Sequence, residues 1–149
     1  ELRGFKSNQF KSLHPAGNLG KDLKNLGDIM HLGKKLPLAK KDEKMSKALL
    51  TMTKKSFGCI GVVNEKKQIV GIITDGDLRR GLNAKFLEKF AKDIMTKKPL
   101  IIPDSLPLLD ALYIMNKNKI TCLFISKNKS LSEPIGIIHI HDCLRLIQN

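Results

Sequence analysis

Apolar positions in this chain change their period several times, and the whole series of changes occurs twice. Residues 36–39 make a short apolar run of strand type. Met45, Ala48, Leu49 and Met52 then fall at i, i+3, i+4 and i+7, the spacing of one buried helical face. Cys59–Val63 is a compact β-type run, Asn64-Glu65-Lys66-Lys67 turns the chain, and Ile69–Thr74 is a second run rich in β-branched residues. Leu78 and Leu82 mark a helix that begins near Asp75. The same order returns as residues 100–102, 108–115, Cys122–Ser126, 135–139 and 143–147. Ser105 is a natural N-cap for the first helix of the second copy, with Pro107 tolerated in its first turn, where no N–H is needed. Lys44, at the equivalent place in the first copy, is a poorer cap, although Asp42 and Glu43 suit a helix N-terminus electrostatically.

The two copies match residue by residue. Asp28-Ile29-Met30 returns as Asp93-Ile94-Met95, Cys59 as Cys122, and Gly71-Ile72-Ile73 as Gly136-Ile137-Ile138. The shift is 65 residues at the first and last of these and 63 in the middle. A unit of this size is too small to bury both its faces alone, so the copies are expected to pack against each other. The expected fold is α/β, two β-α-β-β-α repeats related by a pseudo-two-fold axis, each with a small sheet and flanking helices. The segment 86–92 links them.

Composition narrows the functional classes. With 149 residues and 42% hydrophobic content this is the size of one globular domain, here built as two halves. No apolar run approaches the roughly 20 residues of a membrane span. The chain starts at Glu1 without a Met or a signal-like stretch and reads as a piece of a longer, cytoplasmic protein. A net charge of +13 invites a nucleic-acid reading. Only four of the 27 basic residues are arginines, however, and Lys is spread through every segment, with no Trp and a single Tyr. A groove reader concentrates arginine and aromatics on one face, so a solvated lysine-rich surface is the better account and no nucleic-acid partner is expected. Cys59 and Cys122 stand at equivalent places in apolar strands, as small core residues of a reducing compartment would, with a disulfide between them as the less favoured alternative.

The chemistry gathers where a strand hands over to a helix, in Gly71-Ile-Ile-Thr-Asp-Gly-Asp-Leu-Arg-Arg80. Backbone N–H groups and the positive end of a helix dipole converge there. Thr74 offers a hydroxyl, Asp75 lies beside it, and Asp77 offers a carboxylate able to bridge the two vicinal hydroxyls of a ribose. Arg79 and Arg80, one turn on, can pair with phosphate oxygens. The second copy reads Gly136-Ile-Ile-His-Ile-His-Asp-Cys-Leu-Arg145, with His139 for Thr74, Asp142 for Asp77 and Arg145 for Arg80. The competing reading is that Thr74 and Asp77 only cap the helix, an ordinary task for both; the sequence leaves the two about even. His139, His141 and Asp142 look at first like zinc ligands. Their alignment with Thr74, Gly76 and Asp77 makes them a polar pocket wall instead, and no metal is expected.

The repeated Asp-Ile-Met, the helix with Ala-Leu, the paired strands and Gly-Ile-Ile-Thr-x-x-Asp-Leu together resemble the CBS (cystathionine β-synthase) domain in tandem, the arrangement called a Bateman module. The resemblance implies a disc whose central cleft binds adenosine nucleotides or related phosphorylated ligands. It places Thr74, Asp77 and Asp142 at ribose-contacting positions, with His139 a departure from the usual Thr or Ser. Arg3-Gly4-Phe5 and Ser12-Leu13-His14-Pro15-Ala16-Gly17-Asn18-Leu19-Gly20, followed by the CBS pattern, are further similar to the D-arabinose 5-phosphate isomerase family. That family joins a sugar isomerase domain to a C-terminal CBS pair, converting ribulose 5-phosphate to arabinose 5-phosphate for the lipopolysaccharide sugar Kdo. Ala16 and Asn18 depart from its usual junction.

This likeness implies residues 1–27 as the end of the isomerase domain and linker, 28–85 as the first CBS domain, 86–92 as linker and 93–149 as the second. It implies His14 as an acid/base of the full-length enzyme, and no isomerase activity for residues 1–149 alone. The expected function is a regulatory ligand-binding pair sensing an adenine nucleotide or cytidine-linked Kdo (CMP-Kdo). An upstream isomerase domain and a homo-oligomer are its expected partners. The alternative is a structural oligomerisation module with an empty cleft.

Overall fold

A computed structural model of the chain describes residues 25–127 and 133–148. The first half runs α1 (Leu26–Ile29), β1 (His31–Leu32), a 3-10 turn (Gly33–Lys35), β2 (Leu38–Lys40), α2 (Met45–Lys55), β3 (Cys59–Val63), β4 (Ile69–Thr74) and α3 (Asp75–Gly81). After a 3-10 turn at Phe86–Glu88 the second half runs α4 (Ala91–Ile94), β5 (Thr96–Lys97), β6 (Ile101–Pro103), α5 (Leu108–Asn118), β7 (Cys122–Ser126), β8 (Gly136–His139) and α6 (Ile140–Gln148). This is the α/β repeat that the hydrophobic pattern predicts.

The long helices form for the expected reason. Met45, Ala48 and Met52 bury one stripe of α2, and Leu108, Ala111, Leu112 and Met115 bury one stripe of α5. Each helix ends on a residue in the left-handed region, Ser56 (φ 60°) and Lys119 (φ 53°), whose N–H returns to the last turn. β2 and β3 run parallel, so α2 is the crossover that parallel neighbours require, and β6, α5 and β7 repeat this. β3 and β4, like β7 and β8, form antiparallel hairpins.

Several boundaries differ from the sequence reading. The first strand of each copy lies later, at Leu38–Lys40 and Ile101–Pro103, and β8 starts at Gly136 rather than at 135. Leu82 is not a buried helical position but the C-cap residue after α3, 74% exposed. The N-cap of α5 is Pro107 rather than Ser105, and its counterpart in α2 is Lys44. Both residues hold extended backbone without a side-chain cap, so these helix starts are fixed by packing. The segment 86–92, read as a linker, places Phe86 and Ala91 in the core.

The two-residue strands decide the topology. β1 of the first copy pairs antiparallel with β8 of the second, and β5 of the second copy pairs antiparallel with β4 of the first. The sheets therefore read β2-β3-β4-β5 and β1-β8-β7-β6. Each copy sends its Asp-Ile-Met segment across to the other. Leu26, Ile29 and Met30 pack into the core of the second half, and Ala91, Ile94 and Met95 into that of the first. Asp28 and Asp93 anchor these segments by accepting the N–H of Asn25 (3.1 Å) and Phe90 (3.0 Å). The repeated glycine of Gly-Ile-Ile is explained by the same exchange. A Cβ on Gly71 would lie 2.7 Å from Met95 Cγ, and one on Gly136 would lie 2.5 Å from Met30 Sδ.

A third apolar cluster joins the two sheets. Cys59, Ile69, Cys122, Phe124 and Ile137 are buried there, with Leu38, Phe57, Val63, Ile72 and Ile101 against them. The approach is close at Gly61, where a Cβ would meet Phe124 Cζ at 2.8 Å.

Candidate ligand site at the strand-to-helix handovers

Thr74 ends β4 and is the N-cap of α3. Its backbone N–H donates to Asp77 Oδ2 (2.8 Å), its hydroxyl donates to the same oxygen (2.9 Å), and the Asp77 N–H points back at Thr74 Oγ1 (3.4 Å). The other carboxylate oxygen of Asp77 accepts from Arg80 Nη2 (2.6 Å) and from the hydroxyl of Thr96 (3.0 Å). Thr96 stands on β5, the strand lent by the other half. A carboxylate has about four acceptor positions, and those of Asp77 are filled. Asp77 is 7% exposed. Burial pushes its pKa upward, but the Thr74 amide and hydroxyl, Thr96 and Arg80 outweigh burial and hold it below the ordinary carboxylate value.

The matching place in the second half has a different lining. The His139 N–H donates to Asp142 Oδ2 (3.0 Å), and His31 Nε2 lies 3.0 Å from that same oxygen. His31 stands on β1, so this contact too comes from the exchanged strand. Among the described residues no donor reaches Asp142 Oδ1. The rings of His139 and His141 stack at 4.8 Å, the His141 N–H donates to His139 Nδ1 (3.2 Å), and His31 meets the edge of Phe57 at 5.1 Å. Burial, then the neighbouring His141, lowers the pKa of His139.

The structure thus brings Thr74, Asp77 and Arg80 together on one side, and His139, His141 and Asp142 on the other. Asp75, Arg79 and Arg145 lie nearby but exposed. His14 lies outside the described residues. The cap reading of Thr74 and Asp77 is realised in full, so a ribose reaching Asp77 would displace Arg80 or Thr96. Sequence reasoning missed His31 and Thr96. The signal was present, since each follows the Asp-Ile-Met of its copy and the two stand 65 residues apart. A surface groove of about 680 Å³ opens at the other end of the first sheet, around Lys40, Lys41, Asp42, Lys47, Glu65 and Lys67, away from all of these residues. Among the described residues no helix is long and apolar enough to cross a membrane.

The CBS domain family model matches residues 26–84 and 91–149. Among curated proteins, an arabinose 5-phosphate isomerase, KdsD, of Yersinia pestis is 37% identical over 148 residues, covering 97% of this chain and 44% of the relative. An uncharacterised protein, RP505, of Rickettsia prowazekii is 38% identical over 98% of this chain and 45% of its own length. The chain therefore spans less than half of the curated relatives it matches. Among solved structures, a complex of CBSX2 with AMP superposes with a TM-score of 0.69 at 25% identity, over 83% of this chain and 96% of that one; CBSX2 from Arabidopsis thaliana without a named ligand gives 0.71.

Proposed function

The chain belongs to the CBS domain family, and we propose that its two halves form a regulatory module that senses a nucleotide or nucleotide sugar on behalf of an arabinose 5-phosphate isomerase domain in the same protein. One observation carries the reading. In each half the strand-to-helix handover centres on a carboxylate that is also held by the strand lent from the other half, Thr96 on Asp77 and His31 on Asp142. A ligand whose hydroxyls engage either carboxylate competes with that cross-half contact, so occupancy is felt by both halves. Regulation follows only if the ligand distinguishes two states, since equal affinity for both shifts nothing.

AMP is the first ligand to test because CBSX2 has been solved with it. Thr74 and the exposed Arg79, Arg80 and Arg145 supply the hydroxyl and cations that a phosphorylated nucleoside needs. CMP-Kdo is the pathway-specific alternative. The isomerase chemistry, with His14 as acid or base and lipopolysaccharide sugar as its destination, belongs to the full-length protein, and we propose no turnover by residues 1–149.

The test is a thermal-shift titration of this chain with AMP, ATP and CMP-Kdo. A ligand at a hundred times its Kd stabilises the native state by about 2.7 kcal/mol, and Asp77→Ala or Asp142→Ala should remove the response at whichever cleft binds. Melting temperatures unmoved by all three at millimolar concentration would overturn the sensor reading. The second reading, a structural oligomerisation module, is favoured by the filled acceptor positions of Asp77. It gains if no ligand responds while sedimentation shows an assembly that Asp77→Ala leaves intact.

A further inference from the structure

Two thiols from opposite halves lie at the seam. Cys59 opens β3 across its hairpin from Thr74, and Cys122 opens β7 across its hairpin from His139. Both belong to the apolar cluster that joins the two sheets, at 3% and 7% exposure. Cys122 Sγ lies 3.0 Å from the carbonyl oxygen of Phe57, two residues before Cys59 in the chain, so the second half's thiol reaches across to the segment that carries the first. Gly58 and Thr121, the preceding residues, are both exposed, so the pair sits one residue from solvent at the rim of the cluster. The third thiol, Cys143, lies apart in the core of the second half, where burial and the nearby Asp142 push its pKa up to about 12.

We propose that Cys59 and Cys122 form a reversible disulfide that staples the two halves across the pseudo-two-fold seam, with a low-molecular-weight disulfide as the oxidant. Disulfide geometry tolerates little error, and the two thiols share one buried cluster at the first positions of matching strands. The exchange balances in two steps. The Cys122 thiol, the more exposed, loses its proton to solvent and attacks one sulfur of the oxidant, whose S–S bond breaks and releases one small thiol. The Cys59 thiol, deprotonated in turn, attacks the Cys122 sulfur and releases the second. Two protein thiols are oxidised and one small disulfide is reduced to two thiols. The resulting bond would close a span of 63 residues in the unfolded chain and fix the seam directly behind Thr74 and His139. This inference does not depend on which ligand the clefts take.

The experiment oxidises the reduced, folded chain with excess oxidised glutathione at mildly alkaline pH. Intact mass and non-reducing peptide mapping are the readouts. The expected result is loss of two hydrogens without a glutathione adduct, a monomer on a non-reducing gel, one linked peptide pair carrying Cys59 and Cys122, and reversal by dithiothreitol. Oxidation should also raise the melting temperature of the wild type and of Cys143→Ser, but not of Cys59→Ser. The mapping uses the wild type, so it stands even if a variant folds poorly. Persistent glutathione adducts, linked dimers, a bond involving Cys143, or thiols that react only after unfolding would each overturn the proposal.

Discussion

The carboxylates at the heads of α3 and α6 occupy matching places and keep different company. Asp77 is closed in by two hydroxyls, an amide and a guanidinium, with both oxygens engaged. Asp142 meets an amide and an imidazole, both at Oδ2. What the halves share is the origin of one partner, a side chain on the exchanged strand, Thr96 in one and His31 in the other. Duplication kept the architecture of the cap and let its chemistry diverge, from a hydroxyl and arginine lining to one of imidazoles.

The strand exchange is the shared part, and its disruption should have the largest effect. Gly71→Val and Gly136→Val each drive a side chain into the crossing methionine, Met95 or Met30. Each should lower stability by about 3 kcal/mol or more in urea titrations, since valine suits a strand and only the overlap opposes it. Met95→Ala should restore part of the loss in Gly71→Val, whereas Met30→Ala should not. Equal recovery by both would break the pairing of each glycine with the methionine of the other copy.

The caps come next. Asp77→Ala removes four hydrogen bonds in a nearly closed site and should cost about 2 kcal/mol, while Asp142→Ala removes two and should cost about 1 kcal/mol. Chemical denaturation of the two variants side by side checks the order. Asp142→Ala proving the costlier change would mean that half-filled acceptor capacity is a poor guide to the two sites.

A third, smaller contrast lies in pH. The folded pKa of Asp77 is depressed, so its contribution is complete above the ordinary value of about 3.9 and is lost as pH falls through the folded value. The folded pKa of His139 is also depressed, which keeps the ring neutral; the unfolded chain takes up its proton first, and stability is lost as pH falls below about 6.5. Denaturation midpoints should therefore fall between neutral and mildly acidic pH in the wild type and fall less in His139→Thr. Asp77→Asn should flatten only the steeper loss below about pH 4. Identical pH profiles for wild type and His139→Thr would remove the histidine from the account.

The smallest effect tests a place where the halves agree. Ser56 and Lys119 both end their helices in the left-handed region without being glycine. Lys119→Gly should stabilise by about 0.5–1 kcal/mol, and Ser56→Gly by less, because it forfeits the bond from Ser56 Oγ to the Thr53 carbonyl (3.1 Å). Thermal melts of the two variants resolve the difference.

Much of this was legible in the chain. The stripes of α2 and α5, the hairpins and the Thr74-x-x-Asp77 cap rest on interactions between near neighbours, which periodicity and cap spacing report directly. The start of α5 was misread because Ser105 has cap chemistry, while packing places the first turn after Pro107. His31 and Thr96 looked like unremarkable residues because their partners, Asp142 and Asp77, lie 111 and 19 positions away.

The sequence by itself determined that there are two α/β copies, which faces of their helices and strands are apolar, and where a carboxylate heads each second helix. Only the tertiary structure decided that each copy lends its leading strand to the other and so completes the surroundings of the other's carboxylate. The physical reason is length. A strand of two residues shows no period of its own, and its place is settled by a methionine fitting over a glycine in the opposite half.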